Sequence, residues 1–212
     1  CLGGQYWMCE ATDCRYGFHQ GNISHCKMTG CDTGLFAGSE ARYSWADGGA
    51  TGFSSARTSH CIATGCTTKG IAMNTVDHAW HCTVDACAIG IEANTYGVIE
   101  NCLITNSTTQ GINLLGAYPT FNHCASDDAG STPDEISPAW AAGHMNIVDV
   151  TTDPYTDRAG DDYSINDTWA TALTVAGGLM GQSDAPLIGA VQPAAGGGAS
   201  SMLRRSSQRG GY

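Results

Sequence analysis

Cysteine and histidine recur at fixed spacings in the first 130 residues, and both residue types can bind metals or take part in proton transfer. Cys61 is followed five residues later by Cys66, and His60 directly precedes Cys61. A pair of this kind suggests a disulfide in a secreted protein, and a metal site or thiol chemistry in a cytosolic one. The choice depends on how often the stretch recurs.

The same stretch recurs in register along the chain. Four pairs of cysteines stand five residues apart, and two further cysteines open the pattern without a second one. The leading cysteines are Cys9, Cys26, Cys61, Cys82, Cys102 and Cys124, and the second ones are Cys14, Cys31, Cys66 and Cys87. Most leading positions are about 20 residues apart. The single interval of 35 residues is interpreted as one repeat plus an insertion at residues 38–58.

Each repeat has the pattern of short strands joined by turns. Cys82 and Val84 are apolar and Thr83 between them is polar, which is the period-two alternation of a strand. Glycine, asparagine and aspartate then supply turn conformations. We therefore predict an all-β fold, a single-stranded parallel β-helix of about six rungs with a C-terminal closing segment, whose equivalent residues stack roughly 4.8 Å apart.

This stacking predicts cysteine ladders inside the coil. A buried cysteine behaves as a small hydrophobe and suits a narrow interior. Neighbouring rungs also lie within the Cα distance that a disulfide spans, so packed free thiols and some disulfides are both open alternatives. A metal site is not expected, because His60 should point outward if Cys61 points inward.

A stripe of imidazoles on the outer surface is a second consequence. The residue before the leading cysteine is histidine in four repeats, namely His25, His60, His81 and His123. Asp85 is expected on the same face, and a histidine near a carboxylate is a general acid–base arrangement. His60, His81 and Asp85 are therefore candidate catalytic residues. The alternative is a solvated polar ladder that repeats because the rungs are duplicated.

The predicted insertion offers a candidate ligand-binding surface. Tyr43, Trp45 and Asp47 combine flat apolar faces with a hydrogen-bond acceptor, as sugar rings prefer. Trp7 and Trp80 each fall two residues before a leading cysteine, which places them on one side of the coil. We therefore name Tyr43, Trp45, Asp47 and Trp80 as candidate ligand contacts. The alternative is that these aromatic rings pack beneath the insertion.

The charge balance and the composition along the chain limit the possible functions and suggest how the chain is divided. A formal net charge of −11 argues against nucleic-acid binding, which needs a basic footprint. No apolar run is long enough to span a bilayer. We expect rungs over residues 1–152, a closing or capping segment over 153–193, and a flexible Gly/Ser/Arg tail over 194–212. The start at Cys1 leads us to expect that sequence precedes it.

The repeat pattern HC-x-φ-x-x-C-x-x-G-φ resembles the right-handed parallel β-helix proteins of the pectin-lyase-like superfamily. The runs DPYTDRAGDDYSIN, TALTVAGG and PLIGAVQP resemble the closing segment of its bacterial and phage surface members. The resemblance implies a surface or secreted protein that binds a polysaccharide or cell-surface glycan, or has a structural role. A phage tail or fibre module is the first alternative, and a homotrimer is expected if the chain is virion-associated.

An active polysaccharide lyase or glycoside hydrolase is the second alternative that the resemblance implies. No cofactor is expected unless the protein is lyase-like, in which case Ca²⁺ is the expected ion. Each of these roles implies an extracellular, cell-surface or virion location.

Overall fold

The computed structural model describes residues 4–55, 57–74, 77–94, 96–115, 120–122, 124–127, 136–137 and 148–170. Over these residues the chain winds into a parallel β-solenoid of about six turns, in which each rung contributes one strand to each of three sheets. The predicted β-helix is therefore confirmed.

The strands follow one another rung by rung. The first three rungs consist of β1 (Gln5–Trp7), β2 (Glu10–Thr12) and β3 (Tyr16–His19); β4 (Asn22–Ser24), β5 (Lys27–Thr29) and β6 (Thr33–Gly38); and β7 (Glu40–Arg42), β8 (Trp45–Asp47) and β9 (Thr51–Ser55). The next three consist of β10 (Arg57–Ser59), β11 (Ile62–Thr64) and β12 (Lys69–Met73); β13 (His78–Trp80), β14 (Thr83–Asp85) and β15 (Ile89–Ala93); and β16 (Val98–Glu100), β17 (Leu103–Thr105) and β18 (Gln110–Leu114).

Shorter elements follow the sixth rung. They are β19 (Thr120–Asn122), β20 (Ala125–Ser126), β21 (Ile136–Ser137), β22 (Val148–Asp149), β23 (Tyr155–Asp157), a 3-10 turn at Arg158–Gly160, β24 (Asp162–Ile165) and α1 (Asp167–Ala170). The first strand of each rung joins the first sheet, the second strand joins the second sheet, and the third strand joins the third sheet. β19, β20 and β21 continue the three sheets, and β22 extends the second.

The register keeps equivalent residues in columns. Ile71 in β12 lies between Phe53 in β9 and Ile91 in β15. All three side chains are buried inside the coil, and full burial of each contributes roughly 1.5–3 kcal/mol. The glycine before each apolar residue keeps the coil narrow, since a Cβ at Gly52 would lie 2.6 Å from the carbonyl oxygen of Gly70. The columns seen in the sequence are thus columns of core contacts.

A residue in the left-handed conformation joins the first and second sheets in each of the first six rungs. These residues have φ between 47° and 56°, and they are Met8, His25, Tyr43, His60, His81 and Asn101. Histidine and asparagine are among the side chains that adopt this conformation most readily. The outward direction of the predicted imidazole stripe is therefore set by a turn and not by strand alternation.

The prediction of an insertion at 38–58 is wrong, because this segment contributes β7, β8 and β9, which form a complete rung. Ser44 takes the place of the leading cysteine, and its hydroxyl donates to the Arg42 carbonyl oxygen at 2.8 Å. Cys61 makes the same contact to a carbonyl two residues back, at 3.2 Å. Gly49 takes the second cysteine position, where a Cβ would lie 1.7 Å from the Cys31 carbonyl oxygen. The interval of 35 residues is therefore two rungs.

The C-terminal hairpin, which we define as β23, the 3-10 turn and β24, lies against the outer face of the second sheet. The Tyr155 hydroxyl is 2.7 Å from the Thr105 hydroxyl, and the Tyr163 ring meets Trp45 edge-on at 5.9 Å. This part of the segment predicted to close the coil therefore covers a side of it. Residues 171–193 and the predicted tail at 194–212 lie outside the described residues. Within the described part of the chain, no helix has the length and apolarity needed to cross a membrane.

Candidate functional site

Five rings form a continuous line along one corner of the coil, which we call the turn stack. Its members, in order along the axis, are Trp7, His25, Tyr43, His60 and His81. The four successive distances between ring centroids are 4.4, 5.2, 4.8 and 4.9 Å. The spacing follows from the fold, because each rung supplies one ring and adjacent parallel strands are about 4.8 Å apart.

Polar contacts orient the rings and extend the line. The Ser24 hydroxyl is 2.9 Å from Nδ1 of His25. Beyond His81, the Asn101 amide nitrogen lies 3.5 Å from Nε2 of that histidine. The next predicted member of the column, His123, lies outside the described residues. The line of contacts therefore runs from Trp7 in the first rung to Asn101 in the sixth, where an amide side chain replaces the ring.

Exposure is graded along the turn stack. Trp7 and Tyr43 expose 63% and 43% of their surface, whereas His81 exposes 6%. The part formed by the first three rungs is thus an open aromatic surface, and the part formed by the later rungs is packed. Arg42 lies beside the open part and forms an ion pair with Glu40 at 2.6 Å. A ligand at the open part of the turn stack would therefore meet both aromatic rings and the Arg42–Glu40 ion pair.

The imidazole of His60 is held in its neutral form. Burial lowers its pKa to about 4, and the neighbouring His81 and Arg42 act in the same direction. Protonation would place a charge between two rings in a partly desolvated position, which is unfavourable. At neutral pH the centre of the turn stack is consequently uncharged.

The three candidate catalytic residues fall into two places. His60 and His81 are stacked on each other, with their rings inclined by 18°. Asp85 ends β14 beneath the C-terminal hairpin and is 2% exposed. Its Oδ1 accepts hydrogen bonds from the Thr105 hydroxyl at 2.8 Å and the Asn106 amide at 2.7 Å.

Arg158 completes the surroundings of that carboxylate oxygen, 3.4 Å from it. Asp85 is thus linked to the C-terminal hairpin directly through Arg158 and, by way of Thr105, to the Tyr155 hydroxyl. The structure therefore brings the two histidines together and places the aspartate in a separate cluster.

The four candidate ligand contacts are also divided. Tyr43 belongs to the turn stack, and Trp80 lies on the first sheet with its ring 4.7 Å from that of His78. Trp45 is 7% exposed beneath the C-terminal hairpin. Its Nε1 donates to the Thr64 hydroxyl at 3.0 Å, and this hydroxyl donates to Asp47 at 3.0 Å.

Lys27 covers another side of Trp45, with its Nζ 4.3 Å from the ring centroid. In this arrangement Trp45 has no free face for a sugar. Tyr43 is the member of the predicted set that combines exposure with aromatic neighbours.

A cleft of about 240 Å³ borders the C-terminal hairpin. Its polar lining includes Thr105, Asn106, Asp127, Asp153 and Arg158. Arg158 is 3.7 Å from Asp153, and Asp127 accepts a hydrogen bond from the Asn106 backbone at 2.7 Å. The cleft is thus lined by groups that already bind one another.

The cysteines of the described residues are free thiols, and most are buried in the core. The buried ones are Cys26, Cys31, Cys61, Cys66, Cys82, Cys87, Cys102 and Cys124. Burial raises the thiol pKa of Cys61, Cys82 and Cys102 well above the ordinary value. Ser44 and Gly49 interrupt both predicted cysteine ladders at the third rung. In the part of the chain that the structure describes, no group of three or more potential ligands is placed to hold a metal ion.

His25 was predicted in the imidazole stripe and Trp7 on one side of the coil, but the two residues were not predicted to share one surface. For His25 the available signal was the residue before each leading cysteine, which is histidine in four repeats, whereas the first repeat has Met8 at this position and Trp7 one residue earlier, outside the column. This signal was broken because the third rung has Ser44 in place of a cysteine, so Tyr43 was assigned to a loop. With that rung restored, Tyr43 falls into the same column as the histidines.

Comparison with known proteins assigns no family to this chain. No family model matches it, and no curated protein or solved structure matches it either. The structure defines the class, a parallel β-solenoid, and the relation to pectin-lyase-like proteins stays a prediction.

Proposed function

We propose that this chain is a rigid surface module that binds an extended glycan along the turn stack. The observation that carries the proposal is a line of rings 4.4–5.2 Å apart in which Trp7 and Tyr43 are 63% and 43% exposed. A soluble protein that leaves large rings uncovered in a line presents a recognition surface. Because the inner rings face one another, an extended ligand meets mainly their edges, whose polar atoms suit sugar hydroxyls, while the large uncovered surface of Trp7 at the end of the line suits the apolar face of a sugar.

The shape of the site favours a polymer. Each of the first three rungs, where the turn stack is open, contributes one ring, so successive ligand units can meet neighbouring rings. The scaffold is stiff because every rung is hydrogen-bonded to its neighbours through three sheets. A site that is already formed before binding loses little conformational entropy when the ligand arrives.

The charge of the chain favours a neutral glycan. The net charge of −11 would repel a polyuronate at long range, and the central His60 adds no positive charge at neutral pH. The proposal includes an extracellular, cell-surface or virion location, where such ligands occur. Burial of most thiols in the core is compatible with an oxidising environment, because buried thiols react slowly.

Calorimetric titration with neutral and uronate oligosaccharides tests the proposal. We expect binding of a neutral oligosaccharide without chain shortening or unsaturated products. Tyr43→Asn should weaken binding about tenfold, equivalent to about 1.4 kcal/mol. Asparagine tolerates the left-handed turn, as Asn101 already does in the same column. Trp7→Ser should act similarly, since Ser24 is its partner in the register of the next strand.

Tyr96→Asn is the matched control, because Tyr96 is 53% exposed and is not part of the turn stack. Its binding should equal that of the unaltered chain. Equal affinities for all three variants, or the absence of binding to every oligosaccharide, would overturn the proposal. A homotrimer that binds no glycan would support the tail or fibre module instead, and product formation from uronates would support a lyase.

A further inference from the structure

One pair of thiols, in the first two rungs, is arranged for direct reaction. The Sγ atoms of Cys14 and Cys31 are 3.2 Å apart. Cys14 is partly exposed, whereas Cys31 is buried. One sulfur is thus accessible to a small reagent, and the other stands next to it.

The backbone on both sides of this pair is fixed one rung apart. Thr12 pairs with Thr29 before the two cysteines, and Tyr16 pairs with Thr33 after them. The Asp32 amide donates to the Cys14 carbonyl oxygen at 2.9 Å. Adjacent parallel strands lie about 4.8 Å apart, which is inside the Cα separation of about 4.4–6.8 Å that a disulfide spans. Bond formation therefore needs only a small side-chain movement.

The third rung isolates this pair from the cysteines above it. Gly49 occupies the equivalent position there, so Cys31 has no thiol neighbour on that side. Cys66 and Cys87 occupy the same column in the fourth and fifth rungs, and they are 1% and 0% exposed. Cys9, which is also partly exposed, neighbours Cys26 in the other column, and both Cys9 and Cys14 donate to a carbonyl oxygen two residues away at 3.3 Å, so the Cys14–Cys31 pair is distinguished by the 3.2 Å separation of its Sγ atoms. The column therefore holds one accessible pair and one enclosed pair.

We propose that Cys14 and Cys31 are a redox modification site that joins the first two rungs by a disulfide. Hydrogen peroxide is the oxidant. The Cys14 sulfur attacks one peroxide oxygen, the O–O bond breaks, and the products are a sulfenic acid and water. The Cys31 sulfur then attacks the Cys14 sulfur, and the S–O bond breaks with loss of a second water. Two thiols and one peroxide thus give one disulfide and two waters.

The reaction should be slow at neutral pH and accelerate with alkalinity. Burial raises the pKa of the Cys14 thiol to about 11, and the hydrogen bond with Cys31 adds to the effect. The thiolate is the nucleophile, so its population rises about tenfold for each pH unit below that value. This behaviour fits a slow structural cross-link of the surface rungs.

Peptide mapping of the peroxide-treated full chain tests the proposal. After the peroxide is removed the chain is denatured, and its free thiols are blocked with one maleimide isotope. The disulfides are then reduced, and the released thiols are blocked with a second isotope. We expect Cys14 and Cys31 to carry the second isotope first, with a faster rate at pH 9 than at pH 7. A linked peptide containing both residues should appear before reduction.

Matched variants distinguish this pair from the buried one. Cys14→Ser should leave Cys31 with the first isotope, and Cys66→Ser should leave the Cys14–Cys31 cross-link unchanged. The oxidised chain should also have a higher Tm than the reduced chain, an increase that Cys31→Ser abolishes. The proposal is overturned if the unaltered chain keeps both thiols free after treatment, or if Cys14 is linked to another cysteine. This result is independent of glycan binding.

Discussion

At the scale of single residues, the backbone conformation of the turn explains why histidine recurs in one column. His25, His60 and His81 all have φ near 50°, a conformation that histidine and asparagine adopt more readily than most side chains. Asn101 continues the column with the same conformation. Repetition of histidine is therefore explained by the turn, and the stacking of the rings follows from the rung spacing. Acid–base catalysis is not needed to account for it.

The lowered pKa of His60 predicts that the stability of the fold depends on pH. Its pKa is lowered to about 4 in the folded chain and should return to about 6.5 on unfolding. The unfolded state then binds the proton more readily, so the contribution of His60 to stability is present above pH 6.5 and is lost as the pH falls toward 4. We expect the urea midpoint of the unaltered chain to decrease over this interval.

His60→Asn separates this contribution from that of other groups. Asparagine fits the left-handed turn but does not titrate, so the variant should show a smaller decrease between pH 7 and pH 4.5. The measurement is urea unfolding followed by circular dichroism at each pH. Parallel pH profiles for the two chains would show that His60 is not the group responsible.

At the scale of elements, the sequence predicted the strands better than their partners. The pattern of Cys82, Thr83 and Val84 is local, and alternation alone predicted this strand, although the structure also buries Thr83, which the polar pattern would leave at the surface. The third rung was missed because Ser44 and Gly49 fill the cysteine positions by shape and hydrogen bonding. A repeat is recognised in the sequence by residue type. The coil, however, accepts any residue of suitable volume and turn conformation at these positions, and serine and glycine meet that requirement.

The same limit applies to the candidate site. Tyr43 was named from its type, but its ring neighbours depend on the rung count, which the missed rung altered. Trp45 was named for the same reason, yet the C-terminal hairpin covers it, and this packing joins residues more than 100 positions apart. Contacts of such long range have no periodic signature in the sequence.

The anchoring of the C-terminal hairpin gives a prediction at this scale. Asp85 is buried and lies 3.4 Å from Arg158, with the Tyr155 hydroxyl linked to it through Thr105. Asp85→Asn keeps the shape and the two hydrogen-bond donors but removes the charge that attracts Arg158. We expect the coil to stay folded and trypsin to cleave after Arg158 several-fold faster.

Asp153→Asn is the control for that experiment, because Asp153 is more distant from Arg158 and 51% of its side chain is exposed. An exposed ion pair contributes little to stability, so its cleavage rate should stay near that of the unaltered chain. Digestion is followed by mass spectrometry of the fragment ending at Arg158. Equal rates for Asp85→Asn and the unaltered chain would refute the anchoring role.

At the scale of the whole molecule, stability depends on contacts between successive rungs. In a solenoid each rung rests on its neighbours, so the loss of one central rung weakens both sides of the stack. Ile71 lies in the fourth rung, fully buried between Phe53 and Ile91. A charge at this position has no partner inside the coil and would be costly to bury.

We therefore expect Ile71→Lys to unfold the central rungs, whereas Ala72→Lys, the next residue of the same strand, should be tolerated. Ala72 is only partly buried and pairs with Glu92 in the adjacent strand, so a lysine there gains an acidic neighbour. The measurement is maleimide labelling of Cys82, which is fully buried in the next rung. Labelling should be slow in the unaltered chain and in Ala72→Lys, and fast in Ile71→Lys. Slow labelling in all three chains would mean that the rungs do not depend on one another as the stacked core requires.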